Sequence, residues 1–102
     1  MKIKNFTPHQ INMLGDVKKT FSSVGIARVS TTSLTADVVD GIEIMETVWG
    51  DTVDLPMQSK DTILIVSRMV MAANPSRLDL VAPNDLVRDE QGRVIGARSL
   101  SK

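Results

Sequence analysis

Residues 38–44 read Val-Val-Asp-Gly-Ile-Glu-Ile, and this stretch is the strongest indication of structure in the chain. An Asp-Gly pair between β-branched residues is the preferred loop of a two-residue β-hairpin, because both central positions need a positive φ that glycine adopts freely. Alternation over residues 42–49 then divides the second strand into two faces. One face carries Ile42, Ile44, Glu46 and Val48, and the other carries Glu43, Met45, Thr47 and Trp49. The sequence therefore predicts a β-hairpin that ends at residues 49–51, Trp-Gly-Asp.

Short segments with clear boundaries precede this hairpin. Alternating and β-branched residues predict strands over residues 3–6, 10–14, 17–21 and 24–31. Turns separate them at Thr-Pro-His and Gly-Asp, and the Ser/Thr-rich stretch 30–35 is expected to end the last strand.

The segment after the hairpin contains the expected centre of the core. Residues 62–66 are apolar on both faces, which is typical of an interior strand. Residues 67–73 predict one or two helical turns with Ser67 as N-cap and Asn74-Pro75 as the stop. A short strand is predicted over residues 79–82, and a closing hairpin joins residues 86–88 to 93–95.

These elements predict a β-rich α+β fold. Six to eight short strands with one short helix would form a curved sheet or a small barrel. At 102 residues the chain has the length of one domain, so we predict a single domain over residues 1–102.

The composition indicates the cellular compartment and excludes some classes of protein. The chain has no cysteine, which excludes disulfides and thiolate metal sites and makes the cytoplasm the default location. The first residues turn polar too early for a secretory signal, and the longest apolar run, residues 63–66, is far shorter than the roughly 20 residues of a membrane span. We expect no membrane insertion.

Charge is balanced in total and uneven along the chain. The formal net charge is zero, which argues against a general nucleic-acid binder. Residues 1–36 carry +4, residues 37–61 carry −6 and residues 62–102 carry +2. Such polarity suits an oriented partner or a self-complementary oligomer, whereas a scattered solvated surface is the simpler interpretation.

Catalytic chemistry has few candidate residues. His9 is the only histidine, tyrosine and cysteine are absent, and no phosphate-binding loop, metal-ligand motif or nucleophile elbow is present. The sequence therefore predicts a non-enzymatic protein with no cofactor and no metal.

Five residues are candidates for holding a ligand. Alternation from Val24 and Ile26 would place Arg28 and Ser30 beside an apolar surface, where a guanidinium can grip phosphate or carboxylate. Ser67 and Arg68 open the predicted helix, whose first N–H groups attract anions, although ordinary capping is the better explanation of the serine. His9 would project from the rigid Thr-Pro-His turn or serve only as a surface residue. The predicted site consists of His9, Arg28, Ser30, Ser67 and Arg68.

Several motifs resemble a family of short bacteriophage and prophage proteins. Residues 5–9, Asn-Phe-Thr-Pro-His, are similar to its opening Asn-Leu-Thr-Pro-His. Residues 27–30, Ala-Arg-Val-Ser, and residues 65–67, Ile-Val-Ser, look like its central motifs, and residues 79–83 and 88–96 resemble its closing segments. The resemblance covers nearly the whole chain. It implies a phage accessory protein in the cytoplasm of an infected bacterium that neutralises a host component.

Three functions are consistent with these observations. The first is sequestration of a small anionic, nucleotide-like ligand, a counter-defence role. The second is an anti-CRISPR-like inhibitor that blocks a host defence nuclease through an acidic surface formed by Asp40, Glu43, Glu46, Asp51 and Asp54. The third is a virion or assembly component. A homo-oligomer is expected in each case, because a small β-rich domain leaves sheet edges.

Overall fold

The computed structural model describes all 102 residues, and its two longest elements are the strands of the predicted hairpin. Eight strands and one helix follow in chain order. They are β1 (Lys2–Asn5), β2 (Ile11–Leu14), β3 (Lys18–Phe21), β4 (Arg28–Val39), β5 (Ile42–Val53), β6 (Thr62–Ile65), α1 (Arg68–Ala73), β7 (Leu80–Arg88) and β8 (Val94–Ser101).

Six of the strands form one mixed sheet in the order β1-β6-β7-β8-β2-β3, and β4 pairs only with β5. Strands β1, β6 and β7 run parallel, whereas β7 with β8 and β2 with β3 form antiparallel pairs. The sheet does not close into a barrel, and a single bridge between Asn5 and Ser23 links its two edges. The predicted β-rich α+β fold is confirmed, as a single small domain with an open sheet.

The core lies where α1 packs against β7 and the first residues of β4, and Leu64 of β6 belongs to the same buried cluster. Ile65, Val66, Val70 and Leu80 are each at most 2% exposed. The prediction of an interior strand at residues 62–66 is confirmed, since β6 lies between β1 and β7. The α1 boundaries also agree, because Ser67 Oγ accepts from the Val70 N–H and the Asn74 N–H donates to the Met71 carbonyl. This six-residue helix is not long enough to cross a membrane.

The predicted strand over residues 24–31 differs from the structure at both ends. Residues 24–27 are not a strand, because the Val24 and Ala27 N–H groups donate to the carbonyls of Asn5 and Phe6 in an irregular crossing. Alternation therefore does not extend from Val24 and Ile26 into Arg28. The Ser/Thr-rich stretch 30–35 was expected to end a strand and instead lies inside β4, since threonine suits an exposed strand.

Two further strands are longer than predicted. Strand β5 continues past residues 49–51 to Val53 through a register shift. Residues 79–82 and 86–88 belong to one strand, β7, which runs through Pro83. Proline is tolerated there because β7 pairs with β6 only at Leu80 and Val81, so the Pro83 nitrogen has no β6 acceptor to serve.

The hairpin β4–β5 makes the molecule elongated. We call residues 28–53 the arm. The principal extents are 51 × 38 × 18 Å, and the Cα radius of gyration is 16.3 Å, against about 13 Å for a compact chain of this length. Every residue from 31 to 51 is exposed. Only the base of the arm contacts the rest of the chain, where Val29 packs on the core and Thr52 accepts from Asn74 Nδ2 at 2.9 Å.

Candidate functional site

The arm presents one face of exposed aliphatic side chains. Leu34 is opposite Glu46 and Val39 is opposite Ile42, so all four share a face with the alternating Ile44 and Val48. We call this the aliphatic face, and it consists of Leu34, Val39, Ile42, Ile44 and Val48, each 42% to 65% exposed.

A β-bulge assembles the aliphatic face. Thr35 pairs with Met45 and Asp37 pairs with Ile44, which leaves Ala36 without a partner on β5. This extra residue reverses the alternation of β4. Leu34 and Val39, five residues apart, therefore lie on the same face. In a regular strand they would lie on opposite faces, and the patch would be divided.

The opposite face of the arm is more polar. It carries Thr31, Ser33, Thr35, Val38, Glu43, Met45, Thr47 and Trp49. The two faces thus differ, and the aliphatic one is the stronger candidate for contact with another molecule.

Carboxylates lie on the aliphatic face and beside it: Asp37 and Glu46 share that face, and Glu43 lies on the opposite one. The arm carries Arg28 against five acidic residues, Asp37, Asp40, Glu43, Glu46 and Asp51, so its net charge is −4, and Asp54 follows directly. None of these carboxylates forms an ion pair, since the three ion pairs of the chain join Arg77 to Asp79, Arg93 to Asp89 and Arg98 to Asp85. All five proposed partner-binding residues, Asp40, Glu43, Glu46, Asp51 and Asp54, are exposed on or just after the arm.

The largest hollow lies on the six-stranded sheet, between β2 and the β7–β8 hairpin. Its volume is about 570 Å³. Ile11, Leu86, Val94 and Ile95 supply apolar walls, and His9, Gln10 and Asn12 supply polar groups at one side. His9 thus lies in this hollow and not beside Arg28.

Arg28 and Ser67 do lie together, in a second and more open hollow of about 330 Å³ that Thr7 and Pro8 also line. The Arg28 guanidinium makes no hydrogen bond or ion pair within the chain. It also borders an adjoining hollow of about 480 Å³, where Asp54 adds a negative charge. Ser67 Oγ already accepts from the Val70 N–H at 3.2 Å.

The remaining predicted ligand residues point elsewhere. Arg68 Nη2 donates to the Pro83 carbonyl and to Ser101 Oγ, both at 3.1 Å, and so ties α1 to the ends of β7 and β8. Ser30 lies on the arm against Gly50, where a Cβ would collide with the serine hydroxyl. The structure therefore brings together two of the five residues and separates the other three.

Sequence reasoning missed a buried ion pair. Asp79 accepts from Arg77 Nε at 2.9 Å and Nη2 at 2.8 Å, and the same Nη2 donates to the Pro56 carbonyl. This bidentate hydrogen bond lowers the pKa of Asp79 below its usual value and raises that of Arg77. The spacing Arg-x-Asp before an apolar strand was the available signal, but it does not show which loop the arginine reaches.

A buried polar cluster was also missed. Asn5 Nδ2 donates to the carbonyls of His9 and Phe21, and Asn5 Oδ1 accepts from the N–H and hydroxyl of Thr7. The residues Asn-x-Thr at 5–7 thus hold the turn, and His9 contributes its carbonyl. No group of three or more His, Asp and Glu side chains lies close enough to hold a metal ion.

Comparisons with known proteins add no assignment. No protein-family model matches the chain, and neither the curated proteins nor the solved structures give a match.

Proposed function

We propose that this protein is a non-enzymatic binding protein that docks the aliphatic face of its arm against another protein. The supporting observation is a row of five aliphatic side chains that no part of the same chain covers. Contiguous exposed apolar patches mark interaction sites, and an isolated two-stranded hairpin is marginally stable in water. The arm therefore gains stability when a partner covers it.

Charge defines the kind of partner surface. Unpaired carboxylates, including Asp37 and Glu46 on the same face, lie among the aliphatic residues, so the complementary surface combines apolar and basic groups. The resemblance to phage and prophage proteins supports an infected bacterial cytoplasm as the setting. There the partner is a host defence protein, such as a nuclease with a basic groove, or a neighbour in an assembly.

Affinity capture with matched arm variants tests this proposal. Ile44→Lys places a charge on the aliphatic face, and Thr47→Lys places the same charge on the opposite face of the same strand. The bait is the tagged chain, and the lysate comes from host cells that also express an untagged copy. We expect wild type and Thr47→Lys to retain the same stoichiometric protein, and Ile44→Lys to retain at least tenfold less.

Salt provides a second readout. Raising ionic strength from 0.05 to 0.5 M should weaken capture, because the charges around the patch are exposed. Capture of nothing by wild type, or equal capture by Ile44→Lys, would contradict a binding role for the arm.

A second candidate function is supported by Arg28. Its unpaired guanidinium beside Ser67, in a hollow open to solvent, is suited to a small anionic ligand such as a nucleotide. Thermal-shift measurements with cyclic and linear nucleotides test this role, with Arg28→Ala as the variant and exposed Arg98→Ala as its control. When the ligand concentration is about 100 times the dissociation constant, binding adds about 2.7 kcal/mol to the free energy of unfolding. The absence of any shift in wild type at millimolar nucleotide would remove this candidate.

A further inference from the structure

We infer that the partner of the arm is a second copy of this chain, and that the aliphatic face docks on the neighbour's six-stranded sheet over the hollow between β2 and the β7–β8 hairpin. In a twofold dimer each chain supplies one arm and one hollow. This inference rests on the proposed function, since it names the partner of the same surface.

The exposed area is larger than that of a typical compact monomer of this mass. The accessible surface is 7177 Å², whereas a monomer of 11.1 kDa is expected to expose about 5,700 Å². The excess of about 1,500 Å² per chain is more than the roughly 800 Å² per partner that a stable interface of standard size buries. Reciprocal docking of two arms therefore has enough surface available.

Apolar groups are exposed on both sides of the proposed contact. Around the hollow, Leu86, Val94 and Ile95 are 44% to 50% exposed, and the side chains of the aliphatic face are exposed to a similar extent. A hollow of about 570 Å³ has room for several aliphatic side chains. In the proposed contact, each of the two apolar surfaces would bury the other.

Charges favour this arrangement over contact between two arms. The whole chain is neutral and the arm carries −4, so the rest of the chain carries +4. The edge strands β1 and β3 hold much of this positive charge, on the exposed lysines Lys2, Lys4, Lys18 and Lys19, none of which forms an ion pair. Strand β3 pairs with β2, so its lysines lie next to a strand that lines the hollow.

Two aliphatic faces placed together would oppose like charges. Asp37 and Glu46 lie on that face in each copy, and their repulsion disfavours a contact between arms. Docking on the sheet instead brings these carboxylates towards lysines. The occupant that satisfies both the apolar and the charged groups is the neighbour's sheet.

The oligomeric state tests the inference first. Sedimentation equilibrium of the full chain at 1–100 µM should show a dimer for wild type and for Thr47→Lys, and a monomer for Ile44→Lys. Circular dichroism should be alike in all three. The dissociation constant should rise at least tenfold between 0.05 and 0.5 M salt.

Crosslinking tests the position of the contact, and the absence of native cysteine makes it specific. Mixed Ile44→Cys and Ile95→Cys chains should form a disulfide heterodimer under mild oxidation. Ile44→Cys mixed with Met57→Cys, an exposed position outside the hollow, should not.

The outcomes separate this inference from the proposed function. A monomeric wild type with arm-dependent capture of a different protein would overturn the inference and leave the proposed function intact. Crosslinks of Ile44→Cys only with itself would also overturn it, in favour of paired arms. A monomer that captures nothing would remove both.

Discussion

Asn5 joins three segments with one side chain. Its amide donates to His9 at 2.7 Å and Phe21 at 2.9 Å, while its oxygen accepts twice from Thr7. The residue is 1% exposed, so water cannot replace any of these bonds. Because β1 and β3 are the two edge strands, Asn5 helps to hold the edges near each other, together with the hydrogen bond from Ser23 Oγ to the Thr7 carbonyl.

Replacing Asn5 with Asp should therefore be strongly destabilising. The carboxylate would face two carbonyl oxygens without a donor, at a cost of about 3 kcal/mol. For a domain of this size that lowers the melting temperature by more than about 10 °C, measured by circular dichroism. The control is Asn84→Asp, the same change at an exposed asparagine that bonds only Ser99. Equal shifts in the two variants would contradict the assigned role.

The Arg77–Asp79 pair connects the loop at Pro56 to the start of β7. Asp79 is 6% exposed, and both its oxygens are engaged by Arg77. The guanidinium lowers the pKa of Asp79 in the folded chain. This stabilisation is complete above the unfolded pKa of about 3.9 and is lost as the pH falls through the lower folded value.

Asp79→Asn should weaken folding by about 2 kcal/mol at pH 7, because it removes the charge from two hydrogen bonds. The variant should also lose less stability than wild type between pH 5 and pH 2. Urea unfolding at several pH values measures both effects. Asp61→Asn, at an exposed carboxylate, should match wild type at pH 7. If the free energy of unfolding of Asp79→Asn fell with pH as steeply as that of wild type, the Asp79 carboxylate would not be the source of the acid dependence.

At the level of elements, the arm depends on its turn and its bulge. Asp40 and Gly41 have φ values of 52° and 76°, the positive pair that a two-residue hairpin loop requires. The bulge at Ala36 then brings Leu34 and Val39 to one face. A local change at either place alters the aliphatic face without touching the core.

Gly41→Val should loosen the arm, because a β-branched residue is strained at positive φ by about 1–2 kcal/mol. Gly41→Asn should be tolerated, since asparagine adopts this region readily. Hydrogen exchange followed by mass spectrometry measures the result. We expect faster exchange over residues 31–49 in Gly41→Val only, with unchanged protection of β6. Slow exchange in both variants would show that the turn does not control the arm.

The protein consists of a sheet whose core includes packing from the base of the arm, and an outer part of the arm, residues 31–49, that contributes nothing to this core. The buried cluster of Ala27, Leu64, Val66, Val70 and Leu80 contains no residue from 31–49. Base contacts such as Thr52 with Asn74 lie outside that range. Folding and docking are thus assigned to different parts of one chain.

A variant with residues 32–48 replaced by Asn-Gly should therefore remain folded. Thr31 and Trp49 are paired across the arm, so a two-residue turn can connect them. We expect a cooperative melt within about 5 °C of wild-type monomer, and no self-association by light scattering. An unfolded truncation, or one that still associates, would show that the arm is part of the folding unit or is not the docking element.

The hairpin, the interior strand β6 and the capped helix were predicted from local sequence. Asp-Gly between β-branched residues, a doubly apolar run and a serine before a helix each act over a few residues. Strand lengths were predicted less well, since nothing local shows that β4 continues through its Ser/Thr stretch. Only Arg28 and Ser67 of the predicted ligand residues share a hollow. Arg68 donates instead to Pro83, near the start of β7, and to Ser101 at the end of β8.

Short-range physics thus specified the turn, the cap, the core strand and the polarity of charge, because each depends on neighbours within one element. Long-range pairing settled the rest. The strand that lies beside β6 and the acceptors of Asn5 and Arg77 depend on segments far apart in the chain. The bulge at Ala36, which puts Leu34 and Val39 on one face, depends on the register between the two strands of the hairpin. The acidic composition of residues 37–61 was visible in the sequence, whereas its projection as an arm emerged from the absence of any other strand to cover it.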